Sequence, residues 1–132
     1  MPQSPLRLIK RRIEYVEEDQ ARRIPPGLRG IYVLYRNSNH SGARRTAHFD
    51  VVYVGMAAKG GIRARLRSHR RTKRGHWTHF SVFEVWDNVR DDEIRELEGL
   101  FRHVYRFDSQ ASPLNAARGF KAIRKVPRLD LS

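Results

Sequence analysis

Between residues 6 and 23 the apolar side chains Ile9, Ile13 and Val16 stand four and three positions apart among many charges. That spacing predicts an amphipathic helix with one wet face. Pro25, Pro26 and Gly27 end it, because proline lacks the donor that a helix interior needs. Apolar runs over 29–35 and 50–56 predict two strands, separated by a stretch, 36–49, rich in Asn, Ser, Gly and charge that reads as a long loop. After the turn 57–61 with its Gly60-Gly61 pair, residues 62–71 set Ile62 and Leu66 one helical turn apart and fill most other positions with arginine. A third strand is expected over 78–86, where Phe80, Val82 and Trp86 interleave with Ser81, Phe83 and Val85 around Glu84. Over 91–106, Ile94, Leu97, Phe101 and Val104 recur at three or four, the mark of a second amphipathic helix. Asp91, Asp92 and Glu93 complement its N-terminal dipole, and Arg102 and Arg106 its C-terminal end. Ser112 and Pro113 open a polar turn before a short last helix over 116–123.

At 132 residues the chain suits one compact domain with a single core. Charge narrows the choice of partner: 27 Lys and Arg against 14 Asp and Glu leave a formal +13. A surface this basic is suited to a polyanion, nucleic acid above all, because neutralising phosphates releases condensed counterions. With no cysteine there is no disulfide, thiolate metal site or Cys nucleophile. Residues 1–10 lack the apolar stretch of a signal peptide, and no apolar run approaches the roughly 20 residues that span a bilayer. A soluble cytoplasmic protein without a membrane partner is the expectation.

Two tripeptides, Gly30-Ile31-Tyr32 and Tyr53-Val54-Gly55, each lie within an expected strand and bring two phenols near an arginine-rich helix. A phenol can orient water or accept a proton, and a guanidinium binds phosphate oxygens with a fixed fork, so the pairing points to chemistry on a phosphodiester. Arg63, Arg65 and Arg67 compete for the fork's role. Arg65 alone stands three residues after the apolar anchor Ile62 and four before His69, and an i, i+4 pair shares one helix face. Between Val51 and Phe83 there is no acidic residue, while Lys59, Arg63, Arg67, Arg70, Arg71, Lys73 and Arg74 line the segment as a footprint for a nucleic-acid backbone.

The order strand, strand, helix, strand, helix, Asn-bearing turn, with these residues on it, resembles the GIY-YIG nuclease family from about residue 28 to residue 119. The resemblance implies catalytic roles for Tyr32, Tyr53, Arg65, His69 and Asn115, and metal binding through Glu98. Glu98 is favoured over Glu93 and Glu96 because Tyr105-Arg106 follows it, as in the tail of this helix in excision-repair members. The spacing of 21 positions between the tyrosines makes the loop 37–50 an insertion, similar to those of restriction-type members. The expected architecture is α+β, a small, mainly antiparallel three-stranded sheet flanked by helices. It divides into an N-terminal helix and linker over 1–27, a nuclease-like domain over 28–123 and a C-terminal tail over 124–132.

On this reading the chain is a Mg²⁺- or Mn²⁺-dependent endonuclease acting on DNA, with RNA left open, as a monomer or homodimer. One carboxylate suffices in principle, since magnesium keeps several waters and takes few protein ligands. Tyr32 is the candidate base or water-orienting group. The first role requires Arg65 or the ion to lower a phenol pKa of about 10. His69 would relay the proton and Asn115 would brace the Glu98 end. Each residue also has an ordinary reading: Tyr is favoured in strands, Gly30 and Gly55 can mark strand ends or a bulge, and helix Arg and Glu are commonly surface residues. Gly99 costs its helix about 1 kcal/mol relative to Ala, which calls for a packing or site reason. Trp77 and Phe80 are candidates to stack a base, and His76 and His79 lack the further ligands of a zinc site. The rival readings are a non-catalytic nucleic-acid-binding module using the basic helix 62–74, and an interaction domain for an acidic protein.

Overall fold

The computed structural model describes residues 5–37, 49–107 and 126–131. Four strands, β1 (Ile9–Glu17), β2 (Gly30–Asn37), β3 (Phe49–Ala57) and β4 (His79–Val85), form one sheet in the order β1-β4-β2-β3, every neighbouring pair antiparallel. Helix α1 (Gly61–Thr72) covers one face with Ile62 and Leu66, and helix α2 (Asp91–Phe107) covers the other with Ile94, Leu97, Phe101 and Tyr105. Each of these fully buried apolar side chains stabilises the fold by about 1.5–3 kcal/mol relative to leaving it in water. The central strands β2 and β4 are covered on both faces, so they read as near-continuous apolar runs.

The α+β class and the antiparallel sheet match expectation, but the sheet has four strands rather than three, and the helix expected over 6–23 is not formed. In its place stand a short 3-10 turn (Pro5–Leu8), β1, and a second 3-10 segment (Glu18–Arg23). The reason lies in two breaks of register against β4, between Ile9 and Arg11 and between Ile13 and Val16. A bulge adds a residue and turns the following side chains to the opposite face. Ile9 therefore packs with the α2-side core and Ile13 with the α1-side core. The four- and three-residue spacing arises from an irregular strand, not from one face of a helix.

The outer edge of β1 is covered by the C-terminal segment. Arg12 N donates to Pro127 O at 3.0 Å, Leu129 N donates to Arg12 O at 2.7 Å, and Val126 and Leu129 are buried. Outside the described residues lie nearly all of the expected loop 36–49, the turn at Ser112-Pro113, Asn115 and the expected helix 116–123. No helix among the described residues is long and apolar enough to cross a membrane.

Candidate active site

The two tripeptides meet across the β2–β3 pairing. Tyr32 lies opposite Gly55, and Tyr53 opposite Leu34, which puts both phenol rings on the α1 face with centroids 6.0 Å apart. Gly55 is neither a strand end nor a bulge. A Cβ there would come within 2.6 Å of the Tyr32 hydroxyl and of a Tyr53 ring carbon, so the missing side chain is the space the phenols occupy. Gly30 has an equally steric cause: its Cβ would lie 2.1 Å from the Phe83 carbonyl oxygen. Entry into α1 is fixed the same way. Ile62 N donates to Leu28 O at 2.7 Å, and a Cβ on Gly61 would lie 2.7 Å from the backbone of Gly27.

With α1 held there, His69 sits over the tyrosines. Its Nε2 is 2.8 Å from the Tyr32 hydroxyl, and its ring centroid is 4.8 Å from that of Tyr53. The His69 carbonyl accepts from the indole N–H of Trp77 at 3.3 Å, which ties the turn to the core. Trp77 and Phe80 are themselves buried, at 1% and 0% exposure, so neither is available to stack a base. Arg65 is exposed one turn before His69, and the Lys73 ammonium lies 5.6 Å from the Tyr53 ring centroid. Glu98 is drawn toward this edge by Arg102, which pairs with it at 3.4 Å and donates to the carbonyl of Val54, the middle of the second tripeptide, at 3.3 Å.

Electrostatics assign different roles to the members. Burial is the largest cause of a marked rise in the Tyr32 pKa, and Tyr53 adds to it. Arg65 pulls the other way and Glu98 pushes up slightly, so both charged neighbours are felt at this one hydroxyl. The outcome is a neutral phenol, which meets the water-orienting role open to Tyr32 and not the lowered pKa that the role of base requires. Its imidazole partner is shifted down, first by burial and then by Lys73 and Arg65, which keeps His69 uncharged at neutral pH. His69 Nδ1 is buried with no hydrogen-bond partner among the described residues.

Tyr32 is 1% exposed and Tyr53 and His69 are half-buried. The phenol of the first tripeptide thus lies beneath the other two rings and not at the rim. Arg65 and Glu98 come within electrostatic reach of it, and Asn115 falls outside the described residues. The basic residues divide. Arg63, Arg67 and Arg70 turn to a separate hollow, while Lys59, Arg71 and Arg74 are exposed. His79 meets Phe49 edge to face with centroids 4.7 Å apart, and His76 is exposed, so the pair makes no joint site. Two contributors escaped sequence reasoning: Lys73, counted only as a backbone contact, and Arg102, whose i, i+4 spacing from Glu98 was the available signal. Comparison of the chain with protein families, curated proteins and solved structures finds no match in any of the three.

Proposed function

We propose that the chain is a metal-dependent endonuclease hydrolysing phosphodiester bonds in DNA. The observation that carries this reading is the 2.8 Å contact between the Tyr32 hydroxyl and His69 Nε2 beneath Tyr53, with Arg65 and Glu98 both acting on that hydroxyl. A water held at Tyr53 attacks phosphorus, and one P–O bond breaks. Its proton moves through the Tyr32 hydroxyl to His69 Nε2, and the leaving oxygen takes a proton from solvent. Because Tyr32 gives up one proton as it receives another, it need not ionise, and its raised pKa is no obstacle. Neutral His69 is the acceptor. Arg65 grips a non-bridging oxygen with its fork.

Glu98 would hold Mg²⁺ or Mn²⁺, which supplies charge neutralisation at the phosphate and the leaving oxygen. The donor set fits an ion that keeps its waters: one carboxylate, 16% exposed, paired with Arg102 at 3.4 Å. A second reading is a nucleic-acid-binding module without catalysis, supported by the exposed cations Arg67, Arg70, Arg71 and Arg74 on and just after α1.

Incubation with supercoiled plasmid separates the two. Nicking in magnesium that vanishes with chelator and in Glu98→Ala is the expected result. Cleavage that survives both contradicts the proposal, and salt-sensitive binding indifferent to magnesium and to Glu98→Ala favours the module.

A further inference from the structure

Helix α1 carries its cations in two groups. At about 100° per residue, Arg65 and His69 lie on one side of the buried stripe of Ile62 and Leu66, and Arg63, Arg67 and Arg70 on the other. The first group faces the phenols. The second faces the 3-10 segment Glu18–Arg23, where Ala21 is buried and Arg22 projects outward. Between them is a hollow of about 60 Å³ lined by Ala21, Arg22, Arg63, Arg67 and Arg70.

Four arginines line so small a space, and like charges brought this close repel one another unless an anion joins them. Among the described residues only Arg70 has a carboxylate nearby, Glu18 at 3.8 Å, while Arg22, Arg63 and Arg67 make no ion pair. Four positive charges against one negative leave three uncompensated. The hollow is far below the roughly 300–1,000 Å³ of a small-molecule pocket. It has room for one oxyanion and no aromatic lining for a base.

The geometry points to a second phosphate-binding site, remote from the reacting bond, that holds one backbone phosphate of the bound nucleic acid. This deepens the reading above and rests on its nucleic-acid substrate, but not on cleavage. The site fixes the strand on the far flank of α1, so that the helix is gripped through phosphates on both sides of its buried stripe. Such contacts carry no sequence information and set register. Arg22 belongs to it although it lies outside the basic run 59–74, because the 3-10 segment replaces the expected helix.

The test measures binding of a short fluorescent DNA duplex to the full chain, in chelator, from 50 to 300 mM salt. Arg22→Gln/Arg67→Gln is compared with Arg95→Gln/Arg128→Gln, which removes the same charge from exposed positions elsewhere. One lost phosphate contact lowers the slope of log K against log[salt] by about 0.9, and the first variant is expected to show this while the second does not. Equal slopes and affinities in the two variants overturn the inference. So does a variant that loses affinity for inorganic phosphate or poly-glutamate while binding DNA as the unaltered chain does. Nicking is scored separately. A slope change without any magnesium-dependent nicking sinks the nuclease reading and leaves this site standing, and nicking with an unchanged slope does the reverse.

Discussion

Tyr32 and Tyr35 stand three positions apart on β2, on opposite faces of the sheet, and their surroundings differ in the way that separates a structural phenol from a candidate for chemistry. The Tyr35 hydroxyl lies 2.9 Å from that of Tyr105 and accepts from Ser81 Oγ at 2.9 Å, and Ser81 Oγ accepts from Tyr15 N at 3.1 Å. That chain reaches the bulged part of β1, where Tyr15 has φ 56°, and locks it to β2 and α2. Burial pushes the pKa of Tyr35 and Tyr105 far up. Their network is closed. The Tyr32 hydroxyl instead meets a titratable ring, one nitrogen of which has no partner among the described residues, cations bear on both, and the neighbouring rings are half exposed. A satisfied buried network rigidifies a core, whereas a perturbed titratable pair beside open surface is the arrangement on which the proposed proton transfer rests.

The largest effect that tests this contrast is expected at His69. Removing a general base costs about 10²–10⁴-fold in rate, so if His69 has the proposed role, His69→Gln is expected to abolish most nicking without unfolding the chain, as checked by circular dichroism. The pH profile carries the sign. In the proposed mechanism neutral His69 accepts the proton, and its pKa is lowered, so activity is expected to hold below the ordinary value of about 6.5 and to fall only as pH drops through the depressed value. Stability follows the same window: the unfolded chain takes up this proton first, so folding weakens as pH falls from about 6.5 toward the folded pKa. Gly55→Ala comes next, since a Cβ between two rings is overpacking. A loss toward the upper end of about 1–3 kcal/mol in denaturant unfolding is expected, together with reduced nicking. Tyr35→Phe is expected to lower stability by about 1–2 kcal/mol through the orphaned Tyr105 and Ser81 hydroxyls, and to leave nicking unchanged.

The smallest change concerns Gly99. A Cβ there meets nothing within 4 Å, so tight packing does not explain the glycine. Gly99→Ala is expected to raise the midpoint of thermal unfolding, with a gain of about 0.5–1 kcal/mol from helix propensity and a less flexible unfolded chain.

The core elements were legible because their periods are clean. Ile94, Leu97 and Phe101 recur as a helix requires, and the runs around Tyr32 and Tyr53 are bounded by breaks. β1 was not legible, because two bulges shift its alternation into a spacing that mimics a helix. At the site, the types and order of Tyr32, Tyr53, Arg65, His69 and Glu98 could be read, and so could the pairing of the phenols. Depth could not. That Tyr32 lies beneath Tyr53 and His69, that Trp77 is core rather than a stacking platform, and that Gly55 is the floor of the phenol pair all depend on packing across the sheet. Arg22 joined its hollow only because the N-terminal segment turns as a 3-10 helix.

The most direct measurement sets the two phenols of β2 against each other: magnesium-dependent nicking of supercoiled plasmid by Tyr32→Phe and by Tyr35→Phe, at equal concentrations of folded protein. The expected result is a loss of at least about 10²-fold for Tyr32→Phe and an unchanged rate for Tyr35→Phe. Equal rates in the two variants would contradict the assignment of the α1-side cluster as the catalytic centre.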